Sequence, residues 1–208
     1  MIKAVIFDID GTLLDSFEAN LDFFEKLMKR FGYKPPTREE FPNFFHLPLR
    51  EAIRAMTQLD SAEKIEKMFN EGQSRNVYYN RNLLKMPEGV EEVISVLYRD
   101  YRLGIATSRI KQNVFEAPKL AELKQYFTVV VSYEDTEKHK PEPEPLLLAA
   151  ERFGVPFENC VYVGDAKTDM ESALAANMKF ILYGKENLMG ADAHINDFRG
   201  LPDTIKML

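Results

Sequence analysis

The stretch from residue 3 to residue 15 constrains the fold more than any other part of the sequence. It reads Lys-Ala-Val-Ile-Phe-Asp-Ile-Asp-Gly-Thr-Leu-Leu-Asp, a short apolar run rich in β-branched residues. Such a run, closed by Gly11, predicts a buried strand with Asp8 and Asp10 at its carboxyl end. An ordinary turn with solvated acids is one interpretation. In a parallel α/β sheet, however, ligands bind beyond the carboxyl ends of strands, so the position favours a functional site.

Composition narrows the class of protein and of partner. The chain has 208 residues, of which 45% are hydrophobic and 29% charged, as in a folded globular protein. A net charge of −6 argues against a nucleic-acid partner, because binding one requires clustered Lys and Arg. A small anionic substrate is not excluded. Cys160 is the single cysteine, so an internal disulfide and a cysteine-based metal cluster are excluded, and its apolar neighbours favour packing in the core.

The sequence also bears on location. Its first residues pass directly into the predicted strand, without the charged segment, apolar run and cleavage site of a signal peptide. No apolar run approaches the ~20 residues that are needed to cross a bilayer. We therefore expect a cytoplasmic protein with no membrane partner.

In the second half of the chain, short apolar runs typical of strands alternate with segments that have helical spacing of apolar residues. Predicted strands lie at 101–107, 128–131, 160–163 and 179–183, and predicted helices at 88–100, about 110–125, about 143–153 and about 168–176. Residues 193–198 are expected near the sheet edge. Strands that alternate with helices in this way predict an α/β fold, with a Rossmann-like, mainly parallel sheet covered by helices on both faces.

The region between the first strand and this alternation has only helical signals. Asp15 and Glu18 resemble a capping box, as do Thr37 and Glu40, and helical spacing continues over 49–59 and 61–80. We therefore predict an all-helical cap domain at residues 15–85, inserted into a catalytic core formed by residues 1–14 and 86–208.

Two further strand ends carry groups that suit phosphoryl chemistry. Thr107 ends a predicted strand, where a hydroxyl is often only a helix cap. Lys140 lies in His-Lys-Pro-Glu-Pro, and most lysines serve only at the surface. A carboxylate nucleophile at phosphorus, however, requires cations and fixed donors around the transferring group.

A fourth stretch, Gly-Asp-Ala-Lys-Thr-Asp at 164–169, follows a predicted strand and opens a helix. Asp165 and Asp169 are compatible with a simple preference for acids at a helix N-terminus. Their carboxylates also suit Mg²⁺, which binds carboxylate and carbonyl oxygens and keeps several waters.

Taken together, these four stretches resemble the four motifs of the haloacid dehalogenase-like (HAD) phosphohydrolases, in the same order. The resemblance implies that Asp8 is the nucleophile and that Asp10 is first general acid and then general base. It implies that Lys140 offsets negative charge, that Thr107 bonds a phosphoryl oxygen, and that Ser108 contributes its backbone nearby. An acid at position 10 favours phosphoryl transfer over dehalogenation.

The same resemblance implies a Mg²⁺ site. Asp8, the backbone carbonyl of Asp10 and Asp165 would bind the ion, and Asp169 would act there directly or by orienting a bound water or Lys140. Thr12, within the first motif, is expected to contact substrate.

The helical insert resembles the cap of phosphoglycolate phosphatase-like HAD enzymes. In such a cap a polar and a basic residue approach the substrate, which implies roles for His46 and Arg50. Arg50 has a second interpretation, as an exposed helix residue that pairs with the nearby Glu51.

The leading hypothesis is a Mg²⁺-dependent phosphatase that acts on a small phosphorylated metabolite, with phosphoglycolate and pyrophosphate as candidates. A phosphosugar mutase of the β-phosphoglucomutase type is the alternative with the same chemistry. A non-enzymatic switch controlled by phosphorylation of an aspartate, and an inert binding module, are alternatives from other classes.

Overall fold

The computed structural model describes residues 1–74, 76–184 and 188–208. The chain divides into two compact units. The first joins Met1–Asp15 to Met86–Leu208, and the second is Ser16–Lys85.

The first unit is built on a six-stranded sheet in which every pair of neighbouring strands is parallel. The strands are β1 (Ala4–Phe7), β2 (Arg102–Ala106), β3 (Phe127–Val131), β4 (Cys160–Gly164), β5 (Lys179–Tyr183) and β6 (Ala193–Ile195), in the order β3-β2-β1-β4-β5-β6. The α-helices of this unit are α5 (Val90–Leu97), α6 (Pro118–Glu122), α7 (Glu144–Phe153), α8 (Lys167–Ala175) and α9 (Leu201–Lys206). The predicted α/β fold class is confirmed, and residues 193–198 contain the edge strand.

The central strand explains why the site forms where it does. All four residues of β1 are fully buried, as expected of a parallel strand whose two faces are both covered. Strand β1 pairs with β2 on one side and β4 on the other. The strand order reverses direction there, so the carboxyl ends of β1, β2 and β4 border the crevice in which doubly wound sheets bind ligands.

The second unit is helical, with α1 (Phe17–Arg30), α2 (Pro42–Phe45), α3 (Leu49–Thr57) and α4 (Ala62–Gln73). Its apolar core is rich in aromatic residues, among which Phe24 and Phe41 pack at a ring distance of 5.7 Å. Leu27 and Met28 of α1 are fully buried beside them.

Helix ends in this unit differ from the predictions. The first helix has Ser16, not Asp15, at its N-cap. The capping signal at Thr37 and Glu40 forms both of its hydrogen bonds, yet the helix that follows has only four residues. The helix predicted over 61–80 ends at Gln73, because its apolar spacing stops after Phe69.

The helix predicted over about 110–125 is also broken. Short 3₁₀ turns at Lys111–Asn113 and Lys124–Tyr126 flank α6. Pro118 is the first residue of α6, where its missing N–H costs nothing, but a helix could not have continued through it from the preceding turn.

In the described residues, no helix combines the length and apolar character that crossing a membrane would require.

Candidate active site

The structure brings the predicted core residues to one edge of the sheet. Asp8 follows β1, Thr107 follows β2 and Asp165 follows β4. Lys140 lies in the loop before α7, and Asp169 lies in the first turn of α8. The topology of the sheet therefore brings together residues that lie more than a hundred positions apart in the sequence.

Lys140 is the centre of the site. Its Nζ lies 2.9 Å from Asp8 Oδ1, 2.6 Å from Asp169 Oδ1 and 3.0 Å from the Tyr162 hydroxyl oxygen. These three contacts can use all three ammonium hydrogens. The side chain is only 7% exposed, and burial opposes its charge. The carboxylates of Asp169 and Asp8 more than offset that effect and hold the pKa of Lys140 well above its usual value, so the ammonium stays charged.

Tyr162 is a member of the site that sequence reasoning missed. It is fully buried, and its hydroxyl lies 3.0 Å from the carbonyl oxygen of Ala106 and 3.2 Å from Asp169 Oδ1. The hydroxyl can therefore accept from Lys140 while it donates to one of these oxygens. The available signal was a single polar tip within the otherwise apolar strand Cys160–Gly164, and such a tip needs a buried partner.

Asp169 is fully buried and both of its oxygens are engaged. Oδ1 receives Lys140, and Oδ2 accepts the backbone N–H groups of Asp165 at 3.2 Å and Ala166 at 3.1 Å. A Cβ at Gly164 would lie 2.5 Å from Oδ2, so the packing of this carboxylate requires glycine there. Asp169 thus connects the Lys140 ammonium to the backbone of the loop that contains Asp165.

Asp165 is held by the turn after β1. The Thr12 hydroxyl donates to Asp165 Oδ1 at 3.4 Å, and Thr12 is fully buried. Gly11 has a φ of +83°, and a Cβ there would lie 1.8 Å from Asp165 Oδ2. Only glycine fits this turn, both in backbone conformation and in space. Thr12, predicted to contact substrate, has Asp165 as the partner that the structure shows.

The acids Asp8, Asp165 and Asp169 form a cluster in which one oxygen from each lies within 4.8 Å of the others. The Lys140 ammonium contacts two of these carboxylates, those of Asp8 and Asp169. Burial raises the pKa of Asp8 to about 7 and holds the pKa of Asp165 well above its usual value. A donor set made only of carboxylate oxygens fits a hard divalent cation such as Mg²⁺.

Asp10 faces a different group. Arg109 grips its carboxylate in a bidentate pair, with Nε 2.8 Å from Oδ2 and Nη2 2.7 Å from Oδ1. The third nitrogen of Arg109, Nη1, lies 3.0 Å from Glu116 Oε1 and 3.2 Å from the carbonyl oxygen of Asn113. Sequence reasoning missed Arg109, although it directly follows Thr107 and Ser108.

Thr107 is 5% exposed at the end of β2, and its hydroxyl oxygen accepts the backbone N–H of Arg109 at 3.2 Å. This contact closes a local turn and is not a helix cap, because the 3₁₀ turn that follows has Ile110 at its N-cap. Ser108, between them, is half-buried.

In the helical unit, Arg50 pairs with Glu66 of α4 through two contacts, at 3.0 Å and 3.1 Å. Its guanidinium carbon also lies 3.4 Å from the centre of the Phe69 ring. The acidic partner that the structure shows is therefore on the facing helix, whereas the sequence had suggested Glu51 on the same helix.

His46, the other predicted substrate-binding residue of this unit, is the C-cap residue directly after α2 and is exposed. Its ring packs against that of Phe45, with 4.8 Å between the ring centres and an angle of 70° between the planes.

Comparison with known proteins supports what the site suggests. The family profile described as haloacid dehalogenase-like hydrolase matches residues 5–183. The phosphorylated carbohydrates phosphatase of Thermotoga maritima is 31% identical, over 96% of this chain and 90% of its own. The pyrophosphatase PpaX of Bacillus pumilus is 32% identical, over 86% of this chain and 81% of its own.

A solved structure gives the same result. A HAD-superfamily hydrolase of subfamily IA from Geobacter sulfurreducens superposes with a TM-score of 0.73 and 31% identity, over 98% of this chain and 96% of its own. The match of the family profile spans all four motifs, from the strand before Asp8 to the strand after Asp169. The chain therefore belongs to the haloacid dehalogenase-like hydrolases and is an enzyme of that family.

Proposed function

We propose that the protein is a Mg²⁺-dependent phosphatase that hydrolyses a small phosphorylated metabolite through an aspartyl-phosphate on Asp8. The observation that carries this proposal is the buried contact of Asp8 with Lys140, beside the carboxylates of Asp165 and Asp169. A carboxylate held by one ammonium at the end of the central strand is suited to attack phosphorus, because its position and its counter-charge are both fixed.

In the first step, an oxygen of Asp8 bonds to phosphorus and the bond from phosphorus to the leaving oxygen breaks. Asp10 gives its proton to that leaving oxygen, and the product departs with a hydroxyl group. Lys140 keeps its charge throughout and stabilises negative charge on Asp8 and on the phosphoryl group. The Thr107 hydroxyl donates to a phosphoryl oxygen, and Ser108 adds its backbone nearby.

In the second step, Asp10 takes a proton from water, which attacks the phosphorus of the aspartyl-phosphate. Inorganic phosphate leaves and Asp8 is restored as a carboxylate. Asp8, the Asp10 backbone carbonyl and Asp165 would hold Mg²⁺, with Asp169 fixing their surroundings, and the ion would neutralise phosphoryl charge when bound.

The names of relatives and the resemblance of the cap both suggest candidate substrates. Relatives at 31–32% identity are named for pyrophosphate and for phosphorylated carbohydrates, and the cap resemblance adds phosphoglycolate. We propose that residues of the helical unit, Arg50 and His46 among them, select between such substrates, because a cationic side chain suits a second anionic group.

The test of the proposed function is a panel of phosphorylated compounds assayed for release of inorganic phosphate. We expect hydrolysis of at least one small metabolite with Mg²⁺, and loss of activity in EDTA that added Mg²⁺ restores. The panel includes pyrophosphate, phosphoglycolate, several sugar phosphates and p-nitrophenyl phosphate. Transfer between sugar bisphosphates without phosphate release would indicate the mutase, and a stable phosphoprotein without turnover would indicate the switch.

Arg50→Ala tests the role of the helical unit. If Arg50 recognises a second anionic group, kcat/KM for a substrate with such a group should fall by about 10-fold or more, whereas p-nitrophenyl phosphate should be little affected. Glu66→Gln is the matched control, because it removes the same ion pair and leaves Arg50 in place. A role limited to packing predicts equal changes in the two variants, both in melting temperature and on both substrates.

A further inference from the structure

Arg109 and Glu116 are not among the residues to which the proposed mechanism gives a role, but Arg109 contacts one that is, Asp10. Its guanidinium bridges two carboxylates, Asp10 through two hydrogen bonds and Glu116 through one. The side chains of Arg109 and Glu116 are only 9% and 6% exposed, so this is an interior contact and not a surface ion pair. Removing one partner of a buried ion pair destabilises a protein strongly, because the other charge stays buried without its partner.

The geometry acts on Asp10 in particular. The two bonds run in parallel from the Arg109 fork to both oxygens, which fixes the plane of the carboxylate as well as its distance. Asp10 otherwise sits in a turn with Gly11 next to it, where a carboxylate has several rotamers available. A lysine at position 109 could supply the charge but not the fork.

Glu116 has a separate part in this arrangement. Arg109 has a second carboxylate partner in Glu116, so its buried charge does not depend on Asp10 alone. Glu116 and the carbonyl of Asn113 both accept hydrogen bonds from Nη1, while Nε and Nη2 bind the Asp10 carboxylate. Both Asp10 oxygens accept hydrogen bonds from a guanidinium that Glu116 anchors on its third nitrogen.

We propose that Arg109, anchored by Glu116, is a positioning residue that orients the Asp10 carboxyl group for proton transfer to the leaving oxygen and from water. This inference rests on the proposed function, since it assigns to Asp10 the proton transfers of that reaction. It adds two residues that act through Asp10 and do not bind the phosphoryl group.

The test compares two leaving groups. The p-nitrophenolate of p-nitrophenyl phosphate departs without a proton, whereas the alkoxide of β-glycerophosphate needs one. For Arg109→Lys we expect kcat/KM to fall by about 10- to 100-fold with β-glycerophosphate and by less than about 3-fold with p-nitrophenyl phosphate, with no rise in KM for either substrate. A purely structural role of Arg109 predicts an equal fall in kcat/KM for the two substrates.

Three further variants sharpen the result. Glu116→Gln keeps an acceptor for Arg109 and should show the same selectivity with a smaller loss. In an Asp10→Asn background, Arg109→Lys should cause no additional loss, because the residue it positions is gone. Arg152→Lys is the matched control, since Arg152 also pairs with an aspartate, Asp135 at 2.7 Å, and it should not distinguish the two leaving groups.

Each outcome has one meaning. A rise in KM of similar size on both substrates would overturn the inference and make Arg109 a substrate-binding residue. Losses that multiply with Asp10→Asn would also overturn it. If Arg109→Lys fails to fold, as judged by circular dichroism, Glu116→Gln decides by the same criteria. Failure of the proposed function would look different, because wild type would then release no phosphate or Asp8→Asn would stay active.

Discussion

Asp8→Asn is expected to abolish phosphate release from every substrate, with a fall in kcat on the order of 10⁴ or more. The substitution replaces a carboxylate by an amide of the same shape, which cannot form the acyl phosphate. Lys140 would keep Asp169 as its counter-charge at 2.6 Å. The measurement is release of inorganic phosphate under single-turnover and steady-state conditions.

Loss of activity in this variant would not come from unfolding. Burial raises the pKa of Asp8 to about 7, which means that the folded protein disfavours the ionised form of this carboxyl group when no metal is bound. A neutral amide avoids that cost, so the melting temperature in EDTA should be unchanged or higher. Asp100→Asn, at an exposed position, is the matched control and should change neither activity nor stability. Substantial turnover by Asp8→Asn would refute the aspartyl-phosphate mechanism.

The predictions from sequence succeeded where a local pattern carries the information. An apolar run followed by an acid is visible in the local sequence. The residues next to Asp8 and Asp165 were therefore enough to predict that both lie at strand ends. The parallel sheet then brought those ends together, because the carboxyl ends of parallel strands meet at one edge. Strand β5, Lys179–Tyr183, was predicted to the residue.

The sequence did not predict features that depend on contacts between residues far apart in the chain. The hydroxyl of Tyr162 gains its role from Lys140 and from Ala106, and Arg109 pairs with Asp10, 99 residues away. No spacing rule reveals which arginine finds which aspartate. Helix ends failed for a related reason, since the helix predicted over 61–80 stops where tertiary packing replaces periodicity: Val77 is buried in the core although it lies beyond the last helical turn.

Lys140→Met should be the second most damaging change, and it should harm stability as well as activity. We expect kcat/KM to fall by about 10³-fold, because the phosphoryl group and Asp8 both lose the fixed cation beside them. Methionine fills similar space but leaves Asp8 and Asp169 buried without their counter-charge. Breaking a buried ion pair from one side costs roughly 3–5 kcal/mol, so the melting temperature should fall clearly.

Lys138→Met is the matched control, because Lys138 lies in the same loop with an exposed side chain. The hydrogen bond at that residue uses its backbone N–H, 3.0 Å from Glu144 Oε2, and survives the substitution. Activity should stay within about 2-fold and stability within about 0.5 kcal/mol. Urea unfolding in EDTA and p-nitrophenyl phosphate turnover at saturating Mg²⁺ measure the two effects separately. If Lys140→Met kept full activity in the folded state, Lys140 would serve only to balance charge in the core, and the ammonium would have no part in phosphoryl transfer.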